Sequence, residues 1–140
     1  MTTESAIHKY QFVISSDVID RNGHVNNVAY VQWMQDAAVN HSRAVLPNDS
    51  YRSINATWFA RSHHIEYLSP AFQDETVEVH TWLAQCRRVR CTRKYRFVRV
   101  SDEKLLAQGE TDWVFVNADD GRPKSIPQEI LSAFVIGGDD

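Results

Sequence analysis

One amphipathic helix, in a chain otherwise patterned as strands, constrains the fold more than any other feature. No Gly or Pro occurs from 28 to 46, and Pro47 and Asn48 follow, so this segment predicts a helix of roughly four to five turns. We expect Asn26 or Asn27 to be its N-cap, because a short amide accepts a hydrogen bond from the first free N–H groups. Projected at about 100° per residue, the helix has a broad apolar side. The residues of that side are Tyr30, Val31, Trp33, Met34, Ala37, Ala38, Ala44 and Val45.

The remaining segments alternate apolar and polar residues as strands do. Strands are predicted over 10–14, 56–68, 74–84, 91–100 and 105–117, and a short helix over 127–134. Such a sheet must bury one face, and only one long helix is available to cover it. The pattern therefore predicts an α+β fold, a strongly curved antiparallel sheet wrapped around one long central helix. No internal repeat or linker interrupts the 140 residues, which predicts a single domain over 1–140.

Composition excludes several classes of function. The net charge of -3 argues against nucleic-acid binding. No apolar run approaches ~18 residues and residues 1–5 lack a signal pattern, so we expect a cytoplasmic protein without a membrane segment. No Cys or His spacing indicates a metal site, and no cofactor is predicted. Cys86 and Cys91 flank a basic turn, where they can face each other, but a reducing compartment favours free thiols.

A polar stretch precedes the helix directly and reads DRNGHVNNVAY from Asp20 to Tyr30. Its acid, amides and imidazole lie ahead of backbone N–H groups that stabilise negative charge on a substrate oxygen. The string closely resembles the D-x-x-G-H-V-x-N-x-x-Y signature of hotdog-fold thioesterases, the group that includes 4-hydroxybenzoyl-CoA thioesterase. Residues 22–33 also resemble the corresponding stretch of plant acyl-ACP thioesterases. The resemblance implies the hotdog fold, in agreement with the pattern.

The resemblance also implies roles for residues of this stretch. Asp20 would attack the thioester carbonyl or activate a water to do so, and the sequence does not choose between the two. His24 would orient the acid or protonate the leaving thiolate, and Asn22 completes the D-x-N-x-H arrangement of the plant enzymes. The backbone N–H of Asn27 would meet the thioester oxygen, and Tyr30 would contact substrate. From the residues alone, Asp20 can equally form an Asx-turn, Asn22 a simple turn, and His24 a cap or packing contact.

Two further groups of residues are candidates. The basic triplet Arg87, Arg88 and Arg90 resembles one that 4-hydroxybenzoyl-CoA thioesterase carries at the same place, and the resemblance implies that it binds the phosphates of CoA. The alternative is that these arginines only form a solvated face of the sheet. Asp36, on the polar side of the helix, is a second candidate base, since other hotdog enzymes use a helix carboxylate. His41 projects to the middle of the apolar side, which favours a core histidine.

The sequence thus leads to the hypothesis of a thioesterase for acyl-CoA or acyl-ACP, with neither metal nor cofactor. The resemblance implies a homodimer or homotetramer with sheets joined edge to edge and sites between subunits. Two alternatives remain. A hotdog dehydratase or hydratase shares the fold, but the His-Phe, proline-rich entry segment of the dehydratases does not precede this helix. A non-catalytic acyl-CoA-binding hotdog protein would have no use for a carboxylate at position 20.

Overall fold

The helices and strands follow the predicted order. The structure is a computed structural model that describes residues 6–137, so the predicted absence of a signal over 1–5 lies outside the described residues. Each predicted element is present, with ends that differ by a few residues. The elements are β1 (His8–Val13), α1 (Asn27–Val45), β2 (Ala56–Tyr67), β3 (Thr76–Arg87), β4 (Arg90–Arg99), β5 (Lys104–Asn117) and α2 (Gln128–Ala133).

Within residues 6–137, five strands form one antiparallel sheet in the order β1-β3-β4-β5-β2, which leaves β1 and β2 at its edges. The pairing register shifts once in each of three ladders, between Ala60 and Ser62, between Leu83 and Gln85, and between Phe97 and Val98. Such bulges bend a strand and increase its twist. The described part of the chain thus contains one antiparallel sheet and one long helix, which confirms the predicted α+β architecture.

Helix α1 packs its apolar side onto this sheet. Tyr30 makes edge-to-face contacts with Trp33 and Phe97, at centroid distances of 4.9 and 5.1 Å. Met34 and Ala37 are fully buried in the same cluster. The hydroxyl of Tyr67, the last residue of β2, donates a hydrogen bond of 3.1 Å to the carbonyl of Asn27. The N-terminus of α1 therefore lies at the Tyr67 end of β2.

A second apolar cluster covers the opposite end of α1. It joins the end of the helix and its exit to the start of β2, the β3–β4 hairpin and α2. Its buried members are Ala56, Leu83, Cys91, Phe115, Ile126, Ile130 and Phe134. His41 is only 5% exposed and packs edge-on against Phe134, with ring centroids 4.9 Å apart. The prediction of a core histidine is confirmed.

The two cysteines form a disulfide, so the prediction of free thiols was wrong. Cys86 and Cys91 are directly opposed in the β3–β4 ladder, with Cα atoms 4.0 Å apart. Residues opposed in an antiparallel pair point to the same face of the sheet. The turn predicted between them sets this register, and the register brings the two sulfur atoms together.

Candidate active site

The stretch from Asp20 to His24 is a tight turn just before the N-terminus of α1. Ile19 and Val25 form an isolated antiparallel bridge that closes it. Inside, the N–H of Asp20 donates to the carbonyl of His24 and the N–H of Gly23 donates to the carbonyl of Asp20, both at 3.0 Å. Gly23 has a φ of +86°, a conformation that residues with a Cβ adopt at a cost. The glycine of the signature is thus required by the backbone of the turn.

The Asp20 carboxylate is half-buried and held by one oxygen. Its Oδ1 accepts a hydrogen bond of 2.8 Å from the backbone N–H of Asn22, which is the Asx-turn expected as the alternative role. Its Oδ2 accepts no hydrogen bond from residues 6–137. The turn therefore orients the carboxylate and leaves one oxygen available for a reaction.

Asn26 fastens this turn to the helix. Its Oδ1 accepts from the N–H of Ala29 and its Nδ2 donates to the carbonyl of Val18, both at 2.9 Å. This confirms Asn26 as the N-cap. The N–H groups of Asn27 and Val28 have no acceptor in the described part of the chain. Two backbone donors at the positive end of the helix are therefore available to a ligand oxygen.

The other members of the signature lie around this turn. His24 is half-buried and meets Phe72 edge-on at a centroid distance of 6.4 Å, and within residues 6–137 its ring makes no hydrogen bond to Asp20. The Asn22 side chain is exposed, and the residue contributes its backbone N–H to Asp20. Tyr30 is buried, and burial, followed by the effects of Tyr67 and Glu75, raises its pKa to about 12. Tyr30 therefore stays protonated and anchors the helix.

An apolar surface borders the turn. Val28, in the first turn of α1, is 77% exposed, and Tyr67, Leu68 and Phe72 are also exposed. Phe72 touches His24 and Tyr67 touches Tyr30, so this surface is continuous with the signature. Exposed apolar residues grouped around polar ones mark a binding surface for an apolar ligand or a protein partner.

The three hairpin arginines are not equivalent. Arg90 forms an ion pair with Asp112, Nε lying 3.3 Å from Oδ1. Arg87 and Arg88 are exposed and form no ion pair within residues 6–137. The hairpin packs against β5 and the segment before α2, since the carbonyl of Arg88 accepts from Ile126 at 2.8 Å. In one chain, the arginines and Asp20 therefore lie at opposite ends of α1.

A cavity of about 350 Å³ lies at the arginine end. It is lined by α1 between Ala38 and Arg43, by Thr57 and Trp58 of β2, and by Arg93 of β4. Arg93 is not among the candidate residues predicted from the sequence, although it is buried. The available signal was the alternation of β4, which places Arg93 on the same face as Cys91 and Tyr95.

The candidate base Asp36 lies on α1, and its Oδ1 accepts a hydrogen bond of 2.9 Å from Gln32.

Within residues 6–137, no three His, Cys, Asp or Glu side chains group as metal ligands do. No helix in the same part of the chain has the length and apolar character that crossing a membrane requires.

The family model of the thioesterase-like superfamily matches residues 14–134. No curated protein matches the chain. Among solved structures, the chain is similar to SAV2348 from Staphylococcus aureus, solved in complex with CoA, at 17% identity and a TM-score of 0.83, over 91% of this chain and 80% of that one. It is similar to the 1,4-dihydroxy-2-naphthoyl-CoA thioesterase Slr0204 from Synechocystis, at 18% identity and a TM-score of 0.82, over 91% and 94%. It is also similar to the 12:0-ACP thioesterase from Umbellularia californica, at 20% identity and a TM-score of 0.81, over 93% and 51%. The predicted hotdog fold is confirmed.

Proposed function

Since this chain belongs to the thioesterase-like superfamily, we propose that it hydrolyses an acyl-CoA thioester to a free acid and CoA, with acyl-ACP as the alternative substrate. One observation carries the proposal. The Asp20 carboxylate is oriented through Oδ1 in a turn that immediately precedes two unbonded N–H groups of α1. A carboxylate beside spare backbone donors is the arrangement that acyl transfer requires.

The reaction follows one of two routes. As a general base, Asp20 takes a proton from water while the water oxygen adds to the thioester carbon. As a nucleophile, its own oxygen adds, an anhydride forms when the thiolate leaves, and water then hydrolyses the anhydride. In both routes the N–H groups of Asn27 and Val28 stabilise the oxyanion. The C–S bond breaks and the thiolate takes a proton, from His24 in either route or, in the general-base route alone, from the Asp20 carboxyl that has taken the proton of water.

We further propose a dimer joined through β2. This strand is an edge of the sheet, and it exposes Phe59 to 60%. An edge strand presents unpaired backbone groups, which an antiparallel copy of the same strand satisfies. A fully overlapped pair sets Ala56 opposite Tyr67 of the partner subunit. The cavity and the arginine hairpin of one copy then approach the Asp20 turn of the other copy. The parts of the site that lie at opposite ends of α1 in one chain are thereby brought together in the dimer.

The test is thiol release from a panel of short, long and aromatic acyl-CoAs, with Asp20→Asn as the variant. We expect hydrolysis by the wild type and a roughly 10²- to 10⁴-fold loss of kcat in Asp20→Asn, the range typical of a removed general base. Asp36→Asn is the matched comparison, because it neutralises the other candidate carboxylate, which is also half-buried but lies on α1, and it should retain activity. Single-turnover hydrolysis in isotopically labelled water separates the routes, since only the nucleophilic route labels Asp20.

Two results would overturn the proposal. Full activity in Asp20→Asn with loss in Asp36→Asn would move the chemistry to the helix carboxylate. CoA binding without thiol release from any substrate would make the protein a binding module.

A further inference from the structure

The Arg93 guanidinium is a buried charge without a partner of opposite sign in the described part of the chain. The side chain is 3% exposed. Its Nη1 donates to Nδ1 of His41 at 2.9 Å and to Oγ1 of Thr81 at 3.1 Å. Within residues 6–137 it forms no ion pair with a carboxylate, whereas Arg90 and Arg99 of the same strand both do.

Both acceptors are uncharged. A guanidinium has no acceptor atom, so Nδ1 of His41 must be unprotonated in this hydrogen bond. Burial, and then the charges of Arg93 and His8, lower the pKa of His41 to about 3. The imidazole is therefore neutral at physiological pH. Thr81 is fully buried and its own hydroxyl donates to the carbonyl of Lys94 at 2.9 Å. The contacts fix the position of Arg93 but do not neutralise it.

Arg93 lies in the wall of the cavity of about 350 Å³ beside α1. That volume is at the lower end of the range for small-molecule sites, roughly 300–1,000 Å³. The rest of the wall is mostly apolar or aromatic and includes Leu83, Trp58 and Phe134. The wall also includes Arg43, an exposed cation, whereas Arg93 is buried and held in place. A mostly apolar cavity with a buried, fixed cation suits a ligand with an apolar body and an anionic end.

Energetics favour an anionic occupant. A buried charge is costly unless it is paired, and it is most costly where the surroundings are apolar. We propose that this cavity takes the distal end of the acyl group and selects acyl chains that end in a carboxylate, which pairs with Arg93. Arginine fits this function because its planar fork holds a carboxylate through two parallel hydrogen bonds.

The inference rests on the proposed function, because it assumes that the thioester lies at the Asp20 turn of the partner copy. Within one subunit, the cavity residues Ala38 to Arg43 lie 11 to 16 positions beyond Asn27 on α1. At the helical rise this separates the cavity from the subunit's own Asp20 turn by roughly 16–24 Å. In the proposed dimer, the β2 residues Thr57 and Trp58 would face the Tyr67 end of the partner strand. An acyl chain would then run from the Asp20 turn of one subunit into the cavity of the other.

The test compares pairs of acyl-CoAs that have equal carbon number and end in either a methyl or a carboxylate, such as octanoyl-CoA and suberoyl-CoA. We expect wild-type kcat/KM to favour the carboxylate by roughly 10- to 100-fold, as expected for hydrogen bonds between charged groups. Arg93→Met should abolish that preference, so that the two substrates have similar kcat/KM. Arg93→Lys should retain part of it. A purely structural arginine would lower both activities together.

A binding measurement keeps the inference independent of catalysis and of the variant's folding. Calorimetry of wild-type protein with octanoate and with 1-octanol, its uncharged counterpart, should show tighter binding of the carboxylate. Hydrolysis of methyl-ended substrates without any preference for carboxylate ends would refute this inference and leave the proposed function intact. No hydrolysis, with octanoate still preferred to 1-octanol, would refute the proposed function and retain the anion site.

Discussion

Acidification should destabilise this protein through His41. The imidazole is buried among Phe134, His8 and Arg93, and its pKa falls to about 3 from the ordinary value of 6.5. In the unfolded chain His41 binds a proton below pH 6.5, whereas in the folded chain it does not until about pH 3. The unfolded state therefore binds more protons in this window, and stability falls as the pH is lowered.

The magnitude follows from the size of the shift. Each pH unit within the window costs about 1.4 kcal/mol of unfolding free energy. Between about pH 7.5 and pH 5, His41 alone should remove about 2 kcal/mol, a large fraction of the stability of an ordinary domain. His41→Gln is the matched variant, because its amide oxygen can accept the hydrogen bond from Arg93 but does not titrate.

Urea unfolding at both pH values and at one fixed protein concentration measures the effect. Burial also lowers the pKa of His63, so the decisive quantity is the difference between wild type and His41→Gln. The wild type should lose about 2 kcal/mol more than the variant on acidification. Equal losses in the two proteins would refute the assignment of the buried neutral imidazole as the pH-sensitive group.

Two further predictions concern the helix cap and the arginine hairpin. Asn26→Ala should lower the unfolding free energy by about 2 kcal/mol, roughly half from the lost cap to Ala29 and half from the lost bond to Val18. Asn26→Asp retains the cap acceptor and should lose about half as much in urea unfolding; equal losses would argue against the cap. Joint replacement of Arg87 and Arg88 by Ala should raise KM for acyl-CoA roughly tenfold, or about 1.4 kcal/mol, because exposed phosphate contacts are lost. KM of this double variant for acyl-pantetheine, which lacks the nucleotide phosphates, should not change. The control variant Lys9→Ala removes an exposed cation from β1, the sheet edge away from the proposed dimer, and its kinetics should match the wild type. A rise in KM with both substrates would exclude the phosphate role.

Much of the candidate site was readable in the sequence because it is local. The turn from Asp20 to Gly23, the cap at Asn26 and the start of α1 are set by neighbours along the chain: hydrogen bonds span a few residues, and the positive φ of Gly23 needs no tertiary contact. The signature could therefore be located at a helix N-terminus without coordinates. Its roles in the reaction stay predictions, since the substrate has to be brought to it.

Alternation along the strands and the length of α1 determined, from the sequence alone, that one sheet covers one helix. Tertiary structure alone decided the environment of single groups. Arg93 and Arg90 are both arginines of β4, yet one is buried against His41 and the other is paired with Asp112 at the surface. Cys86 and Cys91 became bonded partners through the ladder register. The reason is physical: periodicity assigns a residue to a face, whereas charge balance, pKa and bonding depend on which distant residues meet it there.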